Sequence, residues 1–286
     1  MEQATLMFAH EFVRNAYLAG TFIALACGTI GWFVVLRGQV FAGDALSHVA
    51  FVGAIAAAVL GLNEQVGLFA LTLAFAGGMA ALGRRAQADD VVIGIVFAWI
   101  LGLGVLLLAV LATSSGGGSG ITAANTLFGS IYSLSGAASS LAAAITLLVT
   151  GFVLVAARPL LLCTLDPELA AVRGVPVRLL GVAFLGALAV VTAESTEAVG
   201  ALLLLGLIAA PAGAARSLTA RPYLGLGLSG LLAMGAMWGG LALSYAIDSL
   251  PPSSAIIGLA AAGYAASVAI AGWRRRRGTQ WRAQQS

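Results

Sequence analysis

Nine apolar blocks follow one another with only short polar breaks between them, each close to the length that crosses a bilayer as a helix. They lie at roughly 15–36, 45–62, 67–82, 91–112, 138–157, 179–193, 198–215, 223–247 and 255–273. A spanning helix needs ~20 mainly apolar residues. Only 9% of the 286 residues are charged, against the roughly 25% of a soluble domain. So few charges cannot cover a core this large. The sequence predicts an all-α integral membrane protein, a bundle of eight to nine transmembrane helices in one domain over residues 1–286. The blocks at 67–82 and 179–193 are short and are expected to be tilted, partly re-entrant or extended at the interface.

Arginine predicts the sidedness. The chain has no Lys, so its basic residues are all Arg. Arg37, the pair Arg84 and Arg85, the group Arg158, Arg173 and Arg178, the pair Arg216 and Arg221, and the run Arg274–Arg277 fall in alternate connections. The intervening connections hold Asn63 and Glu64, the Ser/Gly run 114–120, Glu194–Glu197 and Asp248–Pro252. By the positive-inside rule this places the C-terminus, with a basic tail at 274–286, in the cytoplasm and the N-terminus outside. Arg14 is the exception, and an interfacial Arg can snorkel. No cleavable signal is expected, because the N-terminus carries Glu2 and Glu11 and lacks a basic leader. Cys27 in a span and Cys163 in a connection form no disulfide framework. Nothing in the charge pattern suggests nucleic-acid binding.

Three polar groups stand out. Asp44 and His48, in Gly43-Asp44-Ala45-Leu46-Ser47-His48 at the start of the second block, are four apart and share a helix face. A carboxylate beside an imidazole is half of a divalent-metal site. The same pattern also suits a hydrogen bond between helices, or a helix cap by Asp44. Glu194 and Glu197 are expected at an external break between the sixth and seventh blocks. There they either draw cations toward a pathway or are solvated loop residues. In the stretch 158–178, Asp166 can cap a helix with Pro167 at its first position, and Gly174 can close it. That predicts a short amphipathic cytosolic helix. After the flexible run at 114–120, NTLFGSIYSLSG reads either as a short helix lying against the spans or as a plain linker. The lack of any Lys excludes a G-x-x-x-x-G-K-[ST] phosphate loop, so the chain is not expected to be an enzyme.

From about residue 12 to residue 273 the sequence resembles the permease subunits of bacterial ATP-binding-cassette importers for zinc and manganese. Phe12, Arg14, Ala16 to Gly20 and Gly31-Trp32-Phe33-Val34-Val35-Leu36-Arg37 match that family's opening. Phe41-Ala42-Gly43-Asp44-Ala45-Leu46-Ser47-His48-Val49 matches its most characteristic motif. Leu127-Phe128-Gly129, then Asp166-Pro167-Glu168 with Ala170 and Gly174, then Ala198-Val199-Gly200 through Pro211 and Arg216, follow in order.

The resemblance implies a type II importer fold in the bacterial inner membrane. It further implies a homodimer with its pathway on the dimer axis, two cytoplasmic ATPase subunits and an extracytoplasmic metal-binding protein. In this reading Asp44 and His48 ligate the passing zinc or manganese, and no cofactor is permanently bound. The helix with Asp166, Glu168, Arg173 and Gly174 docks into the ATPase, on which ATP acts. The chain departs from the family in having no span histidine besides His48, and in carrying Glu197 where relatives often have an uncharged or amide residue. A metal-chelate cargo such as a siderophore, cobalamin or haem-like ligand, or a secondary metal carrier, are the alternative readings.

Overall fold

Backbone N–H and C=O groups have no water to bond in hydrocarbon, so a chain of this composition satisfies them inside helices. The computed structural model describes residues 10–82, 90–114, 127–247 and 249–283, and no strand occurs among them. The helices are α1 (Glu11–Leu36), α2 (Val40–Val59), α3 (Glu64–Leu82), α4 (Asp90–Ser114), α5 (Gly136–Val155), α6 (Ala157–Leu165), α7 (Pro167–Val172), α8 (Val177–Val199), α9 (Ala201–Leu218), α10 (Pro222–Ala246) and α11 (Pro252–Ala283). Eight of them are long and apolar enough to cross a membrane, and α9 adds a shorter apolar stretch at Leu204–Leu218. All nine predicted blocks are therefore helical. Arg84, Arg85, the run 115–120 and Asp248 lie outside the described residues.

The bundle is built around α1 and α2, whose apolar windows are each 72% buried, whereas α4, at 11%, lies at its edge. Helix α1 packs on α5, α9 and α10, while α2 is surrounded by α3, α4, α8 and α9. Close approach needs small residues, as in most membrane bundles. A Cβ at Gly31 would overlap the Ile208 carbonyl oxygen of α9. One turn earlier, the Ser229 hydroxyl of α10 donates to the Gly28 carbonyl at 2.6 Å.

Several connections differ from the sequence expectation. The acids Glu194 and Glu197 are not in a loop: they belong to the last turns of α8, a 23-residue helix rather than a short span. The break falls at Gly200, whose φ of 96° and ψ of 147° belong to a region only glycine adopts comfortably. Before α5, the segment that reads as a helix or a linker is a 3-10 turn, Ile131–Ser133, with Ile131 fully buried. Tyr132 donates to the Leu241 carbonyl at 2.9 Å, which fastens this turn to α10. Cys163 lies in the helix α6, not in a loop. Beyond 273, α11 continues as helix to Ala283.

Candidate functional site: a carboxylate–imidazole pair on helix α2

Helix α2 follows α1 after three residues. Gly38, at a φ of 67°, lets the chain reverse, with Gln39 N–H bonding Val34 O at 2.9 Å and Gly38 N–H bonding Val35 O at 3.3 Å. This double bond pattern is a Schellman closure. Gln39 is the N-cap of α2, so Asp44 sits in the second turn and caps nothing. The capping alternative is thereby removed.

His48 Nε2 lies 3.9 Å from Asp44 Oδ1, and the two side chains are 16% and 27% exposed respectively. That separation is too long for a hydrogen bond. It is slightly less than the sum of two metal–ligand bonds of ~2.1 Å each, so one ion can bridge both atoms. Among the described residues neither side chain hydrogen-bonds to another helix, which argues against the structural alternative. The Asp44 carbonyl accepts from the Ser47 hydroxyl at 2.7 Å. The His48 ring packs on Phe97 of α4, with centroids 5.4 Å apart. Phe97 in turn meets Phe41 edge-on at 6.0 Å. An aromatic wall thus supports the imidazole, and no hydrogen bond joins it to Asp44. No third His, Cys, Asp or Glu joins them among the described residues.

Higher on α2 the packing of Ala50 and Ala54 with Leu68 of α3 and Ala193 of α8 brings three helices together. Beside this contact is a cavity of about 380 Å³ lined by Glu64, Gln65, Ser130, Ser133, Ser135 and Glu197, among others. Ala54 also lines it, which sets it ~9 Å along α2 from His48 at the helical rise. Glu197 accepts from Gln65 Nε2 at 3.1 and 3.0 Å through its two oxygens. It is half-buried, and Glu194, only 8% exposed, is buried. The expectation of solvated loop acids is corrected on both counts. The sequence marked these acids, but not Gln65, whose partner is 132 residues away.

At the opposite end of α2, α7 forms as predicted. The Asp166 carboxylate accepts from Leu169 N–H at 2.9 Å, with Pro167 in the first turn and Gly174 at a φ of 76° beyond the end. Glu168 and Arg173 are exposed. So are Leu165, Leu169 and Val172, at 69%, 40% and 85%. Large apolar side chains left open at the end of α6 and on the six-residue α7 are unusual unless something covers them.

Eight spanning-length helices packed about α1 and α2 define a polytopic helical membrane protein. The chain belongs to the ABC 3 transport family, whose model matches residues 9–271. It is 29% identical to "Manganese transport system membrane protein MntC" of Halalkalibacterium halodurans over 82% of this chain and 76% of that one. It is also 29% identical to "High-affinity zinc uptake system membrane protein ZnuB" of Haemophilus influenzae over 86% and 93%. Among solved structures it is similar to "PsaBC from Streptococcus pneumoniae in complex with Fab", with a TM-score of 0.79, 23% identity, and 93% and 94% coverage.

Proposed function

We infer that the chain is the permease subunit of an ATP-driven importer that carries a divalent transition metal, manganese or zinc, into the cytoplasm. The observation that carries this reading is the open Asp44–His48 pair inside a full-length match to the family. The pair supplies one carboxylate and one neutral imidazole, too few for a closed site. Water, backbone carbonyls or the same pair from a second copy complete the coordination. An incomplete site suits a transporter, which has to release its cargo. The acidic chamber, with Glu64 of α3 and Glu197 of α8, borders α2 at Ala54 and raises the local cation concentration at the mouth. A chelate cargo needs no such ion-ligand pair, and a secondary carrier has no use for an uncovered docking helix.

In this account the Arg-rich connections face the cytoplasm and the N-terminus is external. The working assembly is two copies of this chain, two ATPase subunits seated on α7, and an extracytoplasmic metal-binding protein over the chamber. The chain itself hydrolyses no ATP, since without Lys it has no phosphate loop. Partner-free protein is expected to release no phosphate from ATP, and turnover by a rigorously pure preparation overturns that point. Reversing charge at the docking helix, by Glu168→Arg or Arg173→Glu, is expected to weaken assembly or uncouple hydrolysis from uptake several-fold. Complex yield on co-purification and metal uptake per ATP read the effect. Wild-type values for both variants would remove these two side chains from the docking surface.

A further inference from the structure

Arg37 is the last residue of the Gly31–Arg37 match, yet no role follows from its place in that motif. It is the C-cap of α1, and its side chain reaches away from its own helix. Nε–H donates to the Thr164 hydroxyl of α6 at 3.0 Å. The guanidinium carbon lies 4.3 Å from the ring centroid of Phe184 on α8, within cation–π range. Phe184 is itself fully buried and meets Phe33 of α1 edge-on at 6.3 Å. No carboxylate pairs with Arg37 among the described residues. Cys163 beside it is neutral, because burial pushes its thiol up and the nearby guanidinium only partly offsets this. The cation is therefore held by one hydroxyl and one aromatic face, on two elements far from it in the chain.

What those elements are connected to matters. Thr164 is two residues from Asp166, the cap of α7. Its hydroxyl also donates to the Leu160 carbonyl at 2.6 Å, which fixes its direction. On the other side, Arg37, Gly38 and Gln39 are the whole connection between α1 and α2. Backbone bonds of 2.9 Å from Arg37 N–H to Phe33 O and from Gln39 N–H to Val34 O lock it. Helix α2 has no side-chain cap of its own. Its first residue is therefore placed by this locked turn, and Asp44 follows one helical turn later.

We propose that Arg37 is a positioning residue that couples the ATPase-docking segment to the metal pair: the Thr164–Arg37–Phe184 contact transmits displacement of α6 and α7 to the base of α2. This rests on the importer reading given above, in which α7 receives the ATPase. A guanidinium suits the task because it is flat, always charged and able to stack and donate at once. Lysine keeps the charge but neither the Nε donor nor the plane.

The test uses the complete complex of permease, ATPase and binding protein in proteoliposomes, with manganese or zinc as the probe. Metal accumulated per ATP hydrolysed is measured for wild type, Arg37→Ala, Arg37→Lys and Thr164→Val. The proposal expects Arg37→Ala to assemble and hydrolyse ATP, but to lose about tenfold in metal per ATP, the scale of one charged hydrogen bond acting between two sites. Thr164→Val, which keeps the shape and removes the hydroxyl, is expected to lose about threefold, and Arg37→Lys to fall between the two. A merely structural role would lower complex yield and hydrolysis together and leave the ratio unchanged, which overturns the proposal, as do wild-type ratios in Thr164→Val and Arg37→Lys. If the wild-type complex itself neither assembles nor couples ATP to uptake, the importer reading fails, and the proposal falls with it.

Discussion

Replacing Asp44 by Asn, or His48 by Leu, is expected to abolish ATP-dependent metal uptake while leaving the protein folded and the complex assembled. Both side chains are partly exposed and hydrogen-bond to no other helix among the described residues, so their removal breaks no interhelical hydrogen bond, and Leu at 48 keeps an apolar contact with Phe97. The effect falls on the ion. Altering groups that merely support metal ligands already costs 10–100-fold, and with only two ligands per chain the loss of one should reach ~100-fold or more. Initial uptake rates over a range of metal concentrations, with thermal stability measured in parallel, check this. Normal rates in either variant would return that side chain to a structural role.

The largest effect on folding is expected at the break between α8 and α9. Gly200 holds a φ of 96°, and a Cβ there would overlap the Leu127 carbonyl oxygen and the Phe128 carbonyl carbon. Across the contact, Gly129 has a φ of 75°, and its added Cβ would overlap the Val199 backbone. Two glycine turns therefore face each other, tied by Ser130 N–H to Glu197 O at 3.3 Å. Backbone strain of about 1–3 kcal/mol adds to overpacking of about 1–3 kcal/mol, so Gly200→Ala should destabilise by ~4 kcal/mol. Gly227, within α10 and with open space where its Cβ would be, is the control. There Ala should gain up to ~1 kcal/mol from helix propensity. Thermal unfolding in detergent distinguishes the two, and equal midpoints for both variants would contradict the packing described.

The local features were legible because their causes are local. The nine apolar runs are all helical, eight of them at spanning length and α9 with a shorter apolar stretch, since internal hydrogen bonding in hydrocarbon leaves no other choice. The α7 cap could be read from Asp166-Pro167 and Gly174 because a cap is a contact over three or four residues. Errors arose where a local signal competed with tertiary packing. The acids Glu194 and Glu197 looked like a loop, but the helix continues through them because Gln65 and the chamber receive Glu197. Helix α6 runs across Arg158-Pro159, in a stretch where the sequence predicts only the helix after Asp166. A proline in the first turn costs no intrahelical bond, however, and so does not stop the helix. Of the site, the i, i+4 pair was visible in the sequence. The Phe97 wall and the Arg37–Thr164 bond, spanning 127 residues, carry no sequence signal at all.

The central claim is tested most directly by the cargo itself. The complete complex is reconstituted with ATP and the binding protein, and internal metal is counted after exposure to manganese, zinc, iron, magnesium and a metal chelate in turn. The account predicts ATP-dependent accumulation of manganese or zinc as the free ion, lost in Asp44→Asn and His48→Leu. Accumulation of an intact chelate, or metal uptake that needs neither ATP nor the ATPase, would contradict it.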